Sequence, residues 1–207
     1  MVLHLKNGQE VWYSIDEVDS VTFVASGETH DMVDLGLSVF WATCNLGAAA
    51  PEATGYFYAW GEVRPKRTYT EANHTHYSND QYEYIGVNIC GTKYDAARKT
   101  WGGQWRLPTR GELRELRERC MWTQETLNGV SGYRVTATNG NSIFLPAAGY
   151  KTDDTVQEAG TGGFYWSGSL DTSMTSAAYN INFRGYDAEW SASRSYGFSV
   201  RPVIPSK

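Results

Sequence analysis

Only one stretch of this sequence carries a complete set of helix signals, and that limits the folds open to the chain. Thr109 stands where an N-cap belongs, and Glu112 follows three residues later to complete a capping box for the first unpaired amides. Apolar residues then recur on one face as far as Cys120, while acids and arginines interleave on the solvated faces. A weaker helical turn is predicted at 94–99. Most of the chain must therefore fold as strands and turns.

The composition and the local patterns agree with a strand-rich fold. The 207 residues include 8 Trp, 14 Tyr and 21 Gly but only 6 Pro, a mixture that suits strands and tight turns. Residues 133–136 and 142–145 are predicted strands, joined by a turn at 139–141. We therefore predict an α+β fold with few helices and an irregular antiparallel sheet.

The first residues form a pattern of their own. Asn7-Gly8 lies between the strand-prone runs 2–5 and 11–23, and this dipeptide is a strong hairpin signal because both central residues of such a turn need positive φ. A polar break that contains glycine follows. The predicted organisation is a small β-hairpin appendage at 1–28 and one domain at 29–207.

Charge and hydropathy exclude several classes of function. The formal net charge is -5, from 23 acids against 18 bases, and the bases do not cluster, so no nucleic-acid partner is expected. No apolar run approaches the length that spans a bilayer, so no transmembrane segment is expected. The N-terminus shows no export signal, which leaves a cytosolic protein or one whose leader has been removed.

Residues that commonly carry catalysis or bind metals are sparse. His74 and His76 have a spacing that can chelate on a strand, but no Cys or carboxylate nearby in the sequence completes a site. No histidine sits in a nucleophile-elbow context. Cys44, Cys90 and Cys120 match neither a metal cluster nor a disulfide framework. No metal, cofactor or catalytic residue is predicted. Cys120 is either a small buried apolar residue or the disulfide partner of Cys44.

Several long sequence motifs carry a family resemblance. They occupy residues 33–47, 58–62, 101–109, 139–149, 165–167 and 197–203, and they include Tyr-Ala-Trp-Gly-Glu and Gly-Phe-Ser-Val-Arg-Pro-Val. These motifs resemble the Fibrobacter succinogenes major paralogous domain, a family abundant in surface proteins of Bacteroidetes. The resemblance implies a C-type-lectin-like fold shared with formylglycine-generating enzymes, with two helices and a mixed, twisted sheet. It also implies an extracellular or cell-surface location.

The segment 164–199 adds a second resemblance. It contains eight Ser, four Tyr, three Gly and two Asn among 36 positions, and this amino-acid composition is like that of antibody loops. Together with the sequence motifs at its two ends, this composition resembles the variable region of proteins diversified by retroelements. The resemblance implies a ligand-binding surface of mutable residues on a fixed scaffold.

Strand alternation assigns residues of this segment to two faces. Tyr179, Ile181 and Phe183 are expected to face the core together with Trp190. The alternate residues are expected on a displayed face, although polar alternation is also typical of a merely solvated sheet. The predicted ligand-binding residues are Asp171, Thr172, Asn180, Asn182, Arg184, Tyr186, Glu189, Ser191, Ser193, Ser195 and Tyr196.

These features favour a non-enzymatic surface recognition domain that binds a protein or glycan partner through its C-terminal strands and loops. The alternative is a structural or adhesin subunit, of the pilus type or another, in which the same face packs within a larger surface assembly. A formylglycine-generating oxidase is a third class, but its chemistry needs paired thiolates and no cysteine follows Cys120.

Overall fold

The computed structural model describes residues 2–4, 10–12, 30–184 and 187–206. These ranges contain two short helices, α1 (Ala96–Trp101) and α2 (Arg110–Arg119), and fifteen strands. The strands are β1 (Val2–His4), β2 (Glu10–Trp12), β3 (Met32–Val33), β4 (Val39–Ala42), β5 (Tyr77–Ser78), β6 (Gln81–Tyr82), β7 (Cys120–Leu127), β8 (Val130–Ala137), β9 (Ser142–Pro146), β10 (Tyr150–Thr152), β11 (Thr155–Gln157), β12 (Gly163–Leu170), β13 (Ala177–Phe183), β14 (Asp187–Ser193) and β15 (Val203–Pro205).

The strands form small antiparallel sheets. Three-stranded sheets have the orders β15-β4-β3, β7-β8-β9 and β12-β13-β14, and two-stranded sheets pair β1 with β2, β5 with β6 and β10 with β11. The expected α+β class, with few helices and irregular antiparallel sheets, is confirmed in the described part of the chain.

The N-terminal strands pair as a hairpin would. β1 and β2 are antiparallel, with Leu3 opposite Val11. The predicted Asn7-Gly8 turn and residues 13–28 lie outside the described residues. The boundary at residue 28 therefore stays a prediction.

Helix α2 begins at the predicted capping box. The Thr109 hydroxyl accepts a hydrogen bond from the Glu112 amide at 3.2 Å, and the Glu112 carboxylate accepts one from the Thr109 amide at 2.7 Å. Leu113 and Leu116 are buried, as their spacing predicted. Cys120 does not continue this helical face, because the chain turns to extended backbone there and starts β7.

Helix α1 begins two residues after the predicted start. Its N-cap is Asp95, whose buried carboxylate accepts hydrogen bonds from four backbone amides. Two belong to the helix, at Ala97 and Arg98, and two belong to the flanking chain, at Gly91 and Leu107. One side chain therefore caps the helix and fixes the loops on both sides of it.

The sheet β12-β13-β14 separates two hydrophobic cores. On one face Tyr165 lies opposite Ile181, and both belong to the core that includes Leu116 of α2. On the other face Trp166 lies opposite Asn180, and Trp166 packs with Phe198 at a ring separation of 4.2 Å. Because side chains alternate along a strand, β12 and β13 each contribute to both cores, through Tyr165 and Trp166 in β12 and through Ala178 and Ile181 in β13.

The chain from Gly197 to Val203 connects most parts of the molecule. It forms bridges to strand β10 at Lys151, to Tyr58, in parallel to β12 at Tyr165, and to Arg106. Within it, the buried guanidinium of Arg201 donates hydrogen bonds to oxygens of four other residues. They are Asn45 at 2.9 Å, Ala42 at 3.1 Å, Thr43 at 2.9 Å and Phe144 at 2.8 Å. Burial lowers the pKa of Arg201 to about 10.

Candidate functional site

A cavity of about 270 Å³ opens on the second face of the sheet β12-β13-β14. Its lining comes from three parts of the sequence that the fold brings together: Tyr150 of β10, residues 164–192 in and between the adjacent strands β12 to β14, and the chain at 196–198. We call it the aromatic pocket, because five of its lining residues carry aromatic rings. These are Tyr150, Phe164, Trp190, Tyr196 and Phe198.

The aromatic rings pack on one another as well as lining the pocket. Tyr150 contacts Phe164 edge-on at 4.7 Å and stacks on Tyr196 at 5.9 Å, while Phe164 lies 5.3 Å from Phe198. The side chain of Trp190 is 59% exposed. The walls are therefore held by mutual packing, and one large ring remains open to a partner.

Two amides add polar groups to the pocket. The Asn182 side chain donates to the side-chain oxygen of Asn180 at 3.4 Å, and the Asn180 side chain donates to the backbone oxygen of Trp190 at 3.1 Å. This chain of hydrogen bonds orients both side chains. Within the described residues, no group donates to the side-chain oxygen of Asn182, which leaves an acceptor in the pocket lining.

A cation completes the lining. Arg184 pairs with Glu158 at 2.8 Å and lies over the Phe164 ring at 5.0 Å. Its side chain is about half exposed, so these two contacts orient a group that solvent still reaches.

The structure brings part of the predicted site together. Asn180, Asn182, Arg184, Ser191 and Tyr196 all line the aromatic pocket. Tyr186 lies outside the described residues, and the same holds for the side chain of Glu189, whose backbone belongs to β14.

The remaining predicted residues lie elsewhere. Asp171 is buried, and it accepts hydrogen bonds from the amide and hydroxyl of Ser173 at 3.0 and 2.6 Å. Burial acts to raise the pKa of Asp171, but hydrogen bonds from Ser173 and Ser191 hold it below its ordinary value. Thr172 is exposed in the same turn. The carboxylate of Asp171 thus stabilises the turn between β12 and β13.

Ser193 and Ser195 belong to a separate polar cluster. Their hydroxyls lie 3.0 Å apart, and both hydrogen bond to Tyr82, while Ser195 is buried. Neither residue lines the aromatic pocket.

The assignment of one displayed face and one core face is wrong in two respects. Asn180 and Asn182 are buried, 1% and 9% exposed, on a face of the sheet where Tyr150 and Phe198 also line the aromatic pocket. Trp190 is not a core anchor, because the pairing of β13 with β14 places it opposite Asn180 on the pocket face. Ser191 and Ser193 lie opposite Tyr179 and Ala177 instead.

The three cysteines are free thiols, so the structure does not contain the Cys44–Cys120 disulfide. Cys120 packs against the core that includes Leu116, and burial raises the pKa of its thiol. Cys90 packs against the other core, and burial, with the nearby Asp95, raises its pKa to about 12. Both thiols are therefore held in the uncharged form at neutral pH.

His74 is occupied by protein groups and does not form a chelate with His76. One ring nitrogen of His74 lies 3.1 Å from the Trp60 carbonyl oxygen, and the other accepts from the His76 amide at 3.1 Å. Across the described ranges, no group of three or more His, Cys, Asp or Glu is placed to hold a metal ion. No helix in those ranges is long and apolar enough to cross a membrane.

No protein-family model, curated protein or solved structure matches this chain.

Proposed function

We propose that the chain is a non-enzymatic recognition domain with a C-type-lectin-like fold, displayed on a bacterial surface, that binds a protein or glycan partner in the aromatic pocket. The observation that carries this proposal is the convergence of five aromatic rings and two amides from distant parts of the sequence on one open cavity. Pockets that bind ligands combine apolar walls with a few placed polar groups in this way.

The exposed members of the pocket support a recognition role. Trp190 and Tyr196 offer large rigid contact areas with few rotatable bonds, and Arg184 adds a charge-assisted donor beside them. The sheet beneath them is built on residues that are fully buried, such as Trp166 and Ile181. Substitution at the exposed positions therefore leaves the scaffold intact, which suits a surface diversified by a retroelement.

The test uses two matched aromatic substitutions. Trp190→Ala should abolish capture of the partner on a glycan array or in a proteome pull-down, or weaken it at least about tenfold, as removal of a central aromatic anchor does. Tyr84→Ala removes another highly exposed ring outside the pocket and should retain binding. Both variants should keep the wild-type free energy of unfolding to within about 1 kcal/mol.

Retained binding in the Trp190→Ala variant, or equal loss in the Tyr84→Ala variant, would overturn the proposal. Sequences from sister strains test the diversification itself. Substitutions should concentrate at Arg184, Trp190 and Tyr196, and an even spread along the chain would rule out retroelement diversification.

A second candidate, a subunit of a surface assembly, is favoured by a different group of exposed residues. Tyr84, Val87 and Met174 are all more than half exposed, and the Val87 carbonyl oxygen accepts from the Leu170 amide at the end of β12. Light scattering over a range of concentrations distinguishes the two functions. A molar mass that increases with concentration, and does not increase in Tyr84→Ala, supports the assembly subunit. A monomer at every concentration rules it out.

A further inference from the structure

A second cavity, of about 490 Å³, lies between the chain at 61–66 and the residues 73–76 and 93–94. We call it the basic pocket. Its described lining residues include the cations of Arg64, Lys66 and Lys93 and the imidazole of His76, but a single carboxylate, that of Glu62. The chain as a whole has a net charge of -5, so this local excess of cations is opposite to the overall balance.

The carboxylate of Glu62 is already committed to the protein. Its oxygens accept from the amide and hydroxyl of Thr75 at 2.6 and 2.9 Å, and from the Lys66 ammonium at 2.8 Å. Burial acts to raise the pKa of Glu62, but the hydrogen bonds from Lys66 and Thr75 keep it below its ordinary value. Glu62 therefore stays ionised at neutral pH and neutralises Lys66.

Two cations of the basic pocket have no ion-pair partner among the residues that the structure describes. Arg64 and Lys93 are exposed, and within the described ranges neither forms an ion pair. The Lys93 ammonium lies 4.9 Å from the centre of the Tyr94 ring. His76 differs from them, since its ring contacts the Glu83 carboxylate at 3.0 Å.

We propose that the basic pocket binds an oxyanion, a carboxylate, sulfate or phosphate group of a ligand, between Arg64 and Lys93. Guanidinium nitrogens form a planar fork that matches the oxygens of such groups, and a lysine ammonium adds a second charge-assisted donor. The Tyr94 ring lines the same cavity and gives a flat surface for the carbon skeleton that carries the anion. Among the described residues, the linings of the two pockets have none in common, so this proposal does not depend on the function proposed above.

The experiment titrates isotope-labelled protein with sodium sulfate, inorganic phosphate and glucuronate at constant ionic strength, with chloride as the reference salt. Amide resonances near Arg64, Lys93 and Tyr94 should shift saturably with at least one of the three anions, and those near Trp190 should not. The ranking of the three anions shows which oxyanion the pocket prefers.

Matched double variants identify the residues responsible. The double variant Arg64→Gln with Lys93→Gln should bind the anion at least about tenfold more weakly, because two charge-assisted contacts are lost. Arg98→Gln with Lys99→Gln removes the same charge from exposed positions of α1 and should leave the affinity unchanged. Shifts that equal those in chloride, shifts absent with all three anions, or equal weakening in both double variants would each overturn the proposal.

Discussion

His74 is a buried base whose two ring nitrogens are both occupied by the protein. One donates to the Trp60 carbonyl oxygen while the other accepts from the His76 amide, and only the neutral imidazole can do both. Burial lowers the pKa of His74 to about 4, with the neighbouring Glu62 opposing the shift. This side chain therefore holds the chain at 74–76 in place only while it is uncharged.

This arrangement predicts a loss of stability in mild acid. The folded-state pKa of about 4 lies below the unfolded value of about 6.5, so on acidification the unfolded chain takes up the proton first. The contribution of His74 is fully present above pH 6.5 and falls by about 2–3 kcal/mol as the pH drops to 4. Urea unfolding between pH 7.5 and 4 measures this fall.

The variant His74→Gln should flatten the profile in that window. The carboxyl groups of Glu62 and Glu112, whose pKa values are lowered, lose their stabilising effect only below about pH 4.5, which separates the two effects. A wild-type slope that persists in His74→Gln would contradict the assignment to this residue.

At the scale of elements, the two helices depend on their N-caps to different extents. Thr109 serves only the first turn of α2, whereas Asp95 serves α1 and also binds the amides of Gly91 and Leu107. Thr109→Ala should therefore cost about 1 kcal/mol. Asp95→Ala should cost about 3 kcal/mol or more, because four amides lose their acceptor and the hydrogen bonds from Ala97 and Leu107 are buried.

Urea titration monitored by circular dichroism measures both costs, with Asp154→Ala as the control for loss of an exposed acid. If Asp95→Ala costs no more than Thr109→Ala, the loop contacts of Asp95 add nothing to the stability of the fold.

Local elements could be predicted from the sequence because their signals lie within a few residues of one another. The capping box of α2 and the turn between β8 and β9 are examples, and the structure contains both. The position of Trp190 could not be predicted in this way. Its face depends on how β14 pairs with β13, and a shift of one residue in that pairing moves every side chain to the other face.

The same limit applies to the aromatic pocket. Asn180, Asn182 and Arg184 were predicted from alternation alone, and they do line it. The same alternation is typical of a solvated sheet, however, and nothing near these residues in the sequence indicates that Tyr150 and Phe198 line the same cavity. Those rings lie on other elements, and only the assembled fold brings them together.

At the scale of the whole molecule, one sheet joins the two hydrophobic cores. Adjacent residues of β12, such as Tyr165 and Trp166, belong to different cores, so neither core can open without disturbing the strand that supports the other. The described domain should therefore unfold in a single transition.

Leu116→Ala in the first core and Leu46→Ala in the second test this coupling. Each removes a fully buried side chain and should lower the free energy of unfolding by about 2–5 kcal/mol. Tryptophan fluorescence and circular dichroism should report the same midpoint in each variant. Met121→Ala, at an exposed position, is the control, and two separated transitions in either core variant would show that the cores are independent.

The segment 197–203 is needed to complete the fold, and it is among the last residues to be synthesised. Ribosomes synthesise a protein from its N-terminus to its C-terminus. The residues that bridge to this segment, Tyr58, Arg106 and Lys151, are therefore all synthesised before it. Their backbone groups lack these hydrogen-bond partners until residues 197–203 have left the ribosome. Until then the second core also lacks Phe198 and Val200. A nascent chain stalled before residue 197 would therefore present an open core to chaperones, however much of its upstream sequence had already been made.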